Sequence, residues 1–318
     1  MAVEHTFSVV VVSYNDYDAT TGPCLESLRA ETAPCEIIVV DNASTDDTPD
    51  KLRRAAEHDP RLRLRLNHDN RGYAGGNNDG VALASHDVVV LLNSDTVIPP
   101  GGLGRLAALL TRHESWDMLG PLTNNCGNEQ QIAVSGGDRE AILAEGAAWC
   151  REDLACHFDT DMLGFFCVAL HTELYRRLGG LDEIFGRGFC EDTDFCARAR
   201  AAGARLLVSE EVFVYHRGSA SFGRLGRESS ELLKKNRRLF RDRHGAWPEG
   251  LHTRWKNLAV LERYGELLPA GDGPVLRHRV ANRLRRAEDL APLNLITRFT
   301  YRRRLARLRR ALTAGLSL

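Results

Sequence analysis

The chain of 318 residues has no apolar run approaching the roughly 20 residues that a membrane-spanning helix needs. Met1 to Ser8 lacks a basic segment followed by an apolar one, so no secretory leader is expected and a cytoplasmic location is. Eight cysteines are scattered without metal-type pairing. Cys156-His157 has no partner cluster nearby, and Cys190 and Cys196 only flank an acidic patch. With no export signal these thiols are expected to be reduced and mostly structural. There is no internal repeat. The net charge of −1 does not mark a nucleic-acid binder, and no nucleic-acid partner is expected.

Hydrophobic residues make up 43% of the chain and charged ones 27%, enough for a substantial core in one large or two ordinary domains. The near-zero charge conceals an asymmetry. Between Arg277 and Arg310 there are 12 arginines against Glu288 and Asp289, so a tail of about +10 follows a body of about −11. Such a tail suits an anionic membrane surface, a dimer contact, or the acidic body itself.

The first half alternates buried strands with helices. Phe7 to Ser13, Glu36 to Val40 and Asp87 to Leu92 read as strands, with helices over Thr21 to Glu31 and from Ser44-Thr45-Asp46-Asp47 to about Glu57. This alternation predicts an α/β protein with a parallel sheet covered on both faces. After Gly120 the pattern weakens to about Val134. Phe165 to His171, Arg205 to Val208 and Val212 to Tyr215 then read as strands, Glu191 to Ala202 and Ser229 to Arg243 as helices. Arg217 to Gly226 has the Gly/Ser-rich composition of a lid.

Val88-Val-Val-Leu-Leu-Asn-Ser-Asp95 is the most informative segment: an apolar strand ejects Asn93 and Asp95 at its carboxyl end. Ligands of open α/β sheets sit at that edge, and hard cations take carboxylate and phosphate oxygens. A plain Asn-Ser-Asp turn explains the segment equally well. Four further polar clusters follow strands or loops of the same kind: Ser13-Tyr-Asn15, Asp41-Asn-Ala-Ser-Thr-Asp46, Asn70-Arg-Gly-Tyr-Ala-Gly-Gly-Asn77, and Glu191-Asp-Thr-Asp194 with His216 downstream.

In this order the clusters resemble the inverting nucleotide-sugar glycosyltransferases of family 2, which have the GT-A fold, and within them bacterial rhamnosyltransferase-like members. The resemblance covers about residues 7 to 223. It implies a nucleotide-sugar half over 1–119, an acceptor-binding and catalytic half over 120–245, and a helical basic extension over 246–318. It implies nucleotide contact by Ser13, Asn15, Asp41, Asn70, Gly72, Gly76, Asn77 and Asn93, with Gly75 in the same glycine-rich loop. Asp95 and His216 are implied as ligands of Mg²⁺ or Mn²⁺. The family's motif is Asp-x-Asp, and Asn93 replaces the first acid. Asp192 is implied as the base that takes the acceptor proton, with Glu191 orienting acceptor or sugar, whereas Asp182 and Asp194 are expected to be structural. Acids at a helix N-terminus also answer the helix dipole, and both readings hold together. Phe189, beside the acid pair, is the aromatic residue best suited to stack on a sugar.

The resemblance implies a UDP- or dTDP-sugar donor and a glycan, lipid-linked or secondary-metabolite acceptor. Two other functions compete. A sugar-nucleotide scaffold without turnover has no use for both Asp95 and Asp192. A nucleotidyltransferase is expected to carry a basic, Gly-rich phosphate loop after the first strand, where Ser13-Tyr-Asn-Asp16 stands here.

Overall fold

A computed structural model describes residues 6–218, 226–245, 253–267, 273–292 and 295–315. Met1 to His5, part of the segment read for a leader, and most of the expected lid, 219–225, lie outside the described residues. In chain order the elements are β1 (Phe7–Ser13), α1 (Thr21–Arg29), β2 (Cys35–Asp41), α2 (Thr48–His58), β3 (Leu62–Leu66), α3 (Gly72–Leu83), β4 (Val88–Asn93), β5 (Thr96–Val97), α4 (Gly102–Arg112) and β6 (Met118–Thr123). There follow α5 (Arg139–Trp149), β7 (His157–Asp159), β8 (Cys167–His171), α6 (Thr172–Arg177), α7 (Glu191–Ala201), β9 (Leu206–His216), α8 (Gly226–His244), α9 (Thr253–Leu267), α10 (Pro274–Asp289) and α11 (Leu295–Gly315).

Side chains alternate across a strand, so a strand buried on both faces must be apolar throughout. Val9, Val11, Ile37, Val39, Val90 and Leu92 pack beneath α1, α2 and α4. Their neighbours Val10, Ile38, Val40, Val89 and Leu91 face the other way, toward α3 and α7. The strand order is β3-β2-β1-β4-β8-β6-β9-β5, with β7 added on β9. β1 to β4 are mutually parallel. β8 opposes both β4 and β6, so β6 and β9 run with β4. The mostly parallel sheet is as expected, but β8, β5 and β7 run against it.

The chain leaves β1 for β2 and β3 on one side and returns to β4 on the other. That reversal opens a crevice at the carboxyl ends of β1 and β4. Register sets what stands there: Ser13 pairs with Asp41, and Val12 with Asn93.

Three readings of the sequence change. β6 is a buried strand within the segment where the pattern weakened, its signal interrupted by Gly120-Pro121. The two strands expected between Arg205 and Tyr215 are one, β9, with an irregularity where its pairing on β6 passes from Ser209 to Phe213. The skipped residues include Glu210 and Glu211, which are 0% and 1% exposed. The third change concerns the basic tail. α10 sends Arg283 to Glu210 at 2.6 Å and Arg279 to Glu211 at 3.1 Å, both arginines fully buried. The Tyr264 hydroxyl donates to Glu210 as well. The remaining guanidinium hydrogens reach main-chain oxygens, Arg283 to Glu129 at 2.8 Å and Arg279 to Trp149 at 2.9 Å. Of the alternatives open in the sequence, this part of the tail folds onto the acidic body. α9, α10 and α11 close over it around Leu258, Leu261, Tyr264, Val280 and Tyr301.

Breaking one half of a buried ion pair strands a charge in the interior. Arg283→Met is therefore expected to lower stability by about 3–5 kcal/mol, with partial recovery when Glu210→Leu removes the orphaned carboxylate. Urea denaturation of the single and double variants measures this. A loss below about 1 kcal/mol in the single variant means the cluster does not hold the C-terminal helices.

Candidate active site

The crevice deepens into a cleft of about 1280 Å³. Asn93 and His216 lie on one wall, Glu191 and Asp192 on a second, and the side chains of α8 on a third.

The first wall is made where β9 ends against β5, His216 pairing with Thr96. His216 Nε2 stands 3.3 Å from Asp95 Oδ1, and its Nδ1 is 2.7 Å from the carbonyl of Asn125. A proton on Nδ1 donated to that carbonyl turns Nε2 toward Asp95, the orientation a ligating histidine requires. Asn124 clamps the backbone on both sides, accepting from His216 N at 2.8 Å and donating to His216 O at 3.0 Å. The ring stacks on Phe166, with centroids 5.3 Å apart. Burial works against the imidazolium, but the Asp95 carboxylate outweighs it and His216 titrates above its ordinary range. Asn93 Nδ2 is 3.5 Å from His216 Nε2, and its Oδ1 is buried without a hydrogen-bond partner.

The second wall begins in a strained turn. Gly186, Gly188, Phe189 and Cys190 all have positive φ, at 70°, 154°, 69° and 74°. Two of them carry side chains that disfavour this conformation, so the turn must be held from outside. Asn236 of α8 does so: its buried amide lies 2.8 Å from the Phe185 and Gly188 carbonyls and 3.0 Å from that of Phe189. The turn delivers Glu191 and Asp192 to the first turn of α7. Thr193 donates its backbone N–H to Asp192 Oδ1 at 2.6 Å, while Glu191 Oε2 is buried with no partner. Burial first, and then the neighbouring Asp192, push the Glu191 carboxyl up to about 8. Burial raises Asp192 as well. Asp194 is fully buried and pairs with Arg198 at 2.7 Å, Arg243 at 3.1 Å and His244 at 2.7 Å; Asp182 pairs with Arg243 at 2.6 Å.

The other sequence-derived candidates lie at neighbouring strand ends, outside the cleft lining. Asp41 is buried and closes its own turn, accepting from Ser44 N at 3.0 Å and Ser44 Oγ at 2.5 Å. Asn15 accepts from Thr45 N at 2.8 Å, and the Ser13 hydroxyl pairs with Thr21 at 2.7 Å. Asn70 accepts from Gly72 N at 2.9 Å. The glycine-rich loop is a correction: from Gly72 onward, Gly75, Gly76 and Asn77 included, it is α3. A Cβ on Gly76 would lie 2.7 Å from Val12, and one on Gly72 2.2 Å from the Gly186 carbonyl. These two glycines seat the helix on β1 and on the strained turn. Asn77 Nδ2 bonds the Tyr73 carbonyl at 2.9 Å, leaving its buried Oδ1 unpartnered. Phe189 does line the cleft.

Sequence reasoning missed the third wall. Lys234, Lys235, Arg238 and Arg241 line the cleft from α8, and the run Lys234-Lys-Asn-Arg-Arg238 was its only signal.

This sheet and its helical C-terminal region define a GT-A fold, which recurs in solved structures. A mannosyltransferase from Pyrobaculum calidifontis, solved with GDP-Man and Mn²⁺, matches 97% of this chain and 86% of its own at 22% identity and a TM-score of 0.57. Residues 8–163 match the family model "Glycosyl transferase family 2". The succinoglycan biosynthesis protein ExoO of Rhizobium meliloti is 36% identical over 68% of this chain and 62% of its own. The N-acetylglucosaminyl-diphospho-decaprenol L-rhamnosyltransferase of Mycobacterium tuberculosis is 25% identical over 75% of this chain and 85% of its own. Of three other curated relatives the chain spans 25%, 47% and 58% of their lengths. Residues 8–163 are a glycosyltransferase family 2 domain.

The acid pair gives a pH-dependence of known sign. A carboxyl raised in the fold contributes fully below its ordinary value of 4.5, and its contribution is lost as pH climbs toward about 8. Glu191→Gln, permanently neutral, is expected to gain stability relative to the parent across that window and not below it. Parallel stability profiles in chemical denaturation would show that Glu191 is not buried as an acid.

Proposed function

We propose that this protein transfers a sugar from a UDP- or dTDP-linked donor to an acceptor hydroxyl with inversion, Asp192 serving as the base. The observation that carries the reading is the single cleft in which Asn93 and His216 face an acid pair raised by burial. Thr193 fixes the Asp192 carboxylate through Oδ1. As the acceptor oxygen bonds to the anomeric carbon, its proton passes to Asp192, and the bond from that carbon to the donor phosphate oxygen breaks. A raised pKa suits this step, because a more basic carboxylate holds the hydroxyl proton better. Glu191, protonated near neutral pH, donates a hydrogen bond to acceptor or sugar. Asp41, Ser13 and Asn15 at the adjoining strand ends receive the nucleotide.

The residues present suit a divalent cation. Asp95 and the Nε2 of His216 would hold it, with the orphaned Asn93 oxygen beside them. Among the described residues no group of three or more His, Cys, Asp or Glu side chains is arranged to hold a metal ion, so donor phosphate oxygens would complete the shell. Bound there, Mg²⁺ or Mn²⁺ supplies charge stabilisation to the departing diphosphate.

Among the described residues no helix is long and apolar enough to cross a membrane. Peripheral contact is favoured by the outer face of α11. Arg302, Arg303, Arg307 and Arg310 are exposed there, without ion pairs among the described residues, near Phe299 at 70% exposure. The opposite face is buried through Tyr301, Leu305 and Leu312.

Calorimetric titration with UDP, dTDP and GDP, each with Mn²⁺ and with EDTA, tests the donor site: one diphosphate is expected to bind in a metal-dependent way, and binding of none by folded protein rejects the reading. Asp192→Asn is expected to lower turnover by about 10²-fold or more while nucleotide affinity stays within a few-fold. Lost nucleotide affinity in that variant would make Asp192 structural instead. Replacing the four α11 arginines by Gln is expected to weaken binding to phosphatidylglycerol vesicles by roughly tenfold or more. Unchanged vesicle binding with a smaller oligomer would move the helix to a dimer contact.

A further inference from the structure

α8 has two faces with different work. Asn236 and Phe240 are buried inward, and Arg243 and His244 grip Asp194. On the other side Lys234, Arg238 and Arg241 recur at i, i+4 and i+7, one stripe along the helix, with Lys235 beside it. All four are exposed, all four line the cleft, and none has a hydrogen bond or ion pair among the described residues. Like charges at these spacings repel and weaken a helix. No hydrogen bond or ion pair among the described residues occupies them, so the stripe is open to a ligand.

The stripe belongs to the acid-pair side. Every inward contact of α8 named above is to the turn at 185–190 or to Asp182 and Asp194, the segments that carry Glu191 and Asp192. The metal-type groups Asp95 and His216, where the donor diphosphate is proposed to sit, are on the strand wall. Leu233 and Phe189 add apolar surface next to the cations. A cleft wall of one charge sign concentrates ligands of the other, and clustered Lys and Arg bind phosphate oxygens through charge-assisted hydrogen bonds.

We propose that the α8 stripe binds a phosphate or diphosphate carried by the acceptor, so that the molecule presented to Asp192 is a phosphate-bearing sugar or lipid-linked saccharide. This rests on the transferase reading and narrows its acceptor class. No bond to that phosphate changes: it anchors the acceptor while the hydroxyl elsewhere reacts.

The test is equilibrium binding of farnesyl diphosphate and of glucose 1-phosphate to the full chain, with the preferred nucleotide and Mn²⁺ already bound. The comparison is with the variant Lys234→Ala/Lys235→Ala/Arg238→Ala/Arg241→Ala. At least one probe is expected to bind alongside the nucleotide and to bind about tenfold or more weakly to the variant. Binding of farnesyl diphosphate assigns a lipid-linked source, and binding of glucose 1-phosphate a soluble one. Lys234→Arg/Lys235→Arg, which keeps the charge, is expected to retain affinity. Equal affinity in the alanine variant, binding of neither probe, or binding only by displacing the nucleotide overturns the proposal. Nucleotide affinity in the variant reports that it is folded. Absence of nucleotide binding in the parent chain sinks the transferase reading instead, a separate result.

Discussion

Two adjacent carboxylates inside a sheet are the constraint on which this molecule is arranged. Glu210 and Glu211 sit where β9 slips against β6, and neither reaches water. An isolated buried carboxylate is far too costly to persist, so the fold must bring it counter-charges with well-placed hydrogen bonds. α10 brings them from about seventy residues away, and with them come α9 and α11. The slip also sets the last stretch of β9, which ends at His216 opposite Thr96 and so reaches Asp95. The clasp that secures the C-terminal helices and the strand that carries the histidine are one piece of backbone.

Opposing forces set the chemistry of the acid pair. A helix N-terminus favours negative charge, and Thr193 donates to Asp192. Burial and mutual repulsion disfavour it, and they prevail, since both carboxyls are raised. The strained turn before α7 makes the arrangement possible by aiming the pair into the cleft. Asn236 and the Asp194 ion pairs keep that turn from relaxing. Strain at the site is offset by hydrogen bonds just outside it.

What could be read from the sequence follows from how local each signal is. β1, β2 and β4 were legible because burial on both faces demands unbroken apolar runs, and the polar residues at their tips were conspicuous by contrast. His216 could be paired with Asp95 only through the family resemblance, because their contact spans 121 positions and depends on the slip in β9. Glycines invite the reading of a loop, and that reading hid the start of α3, where Gly76 and Gly72 serve close approach and not flexibility. Whether the arginines of α10 meet a membrane, a second copy or the acidic body stayed open because sequence records no burial. Arg279 and Arg283 share one helix face and together match the Glu210-Glu211 pair, a correspondence visible only in three dimensions.

Asn236 and Lys235 are chain neighbours on α8, yet one steadies the strained turn before α7 and the other faces the cleft. Because the helix period separates these duties, an evolving lineage can redraw the outward stripe by point mutation while the inward residues stay fixed. Drift at Asn236, Phe240, Arg243 or His244 has no such freedom, since it loosens the turn beneath the acid pair. Within a single helix, diversification and constraint are thus divided by side and not by segment, and paralogues of this chain would be expected to differ along one edge of α8 and agree along the other.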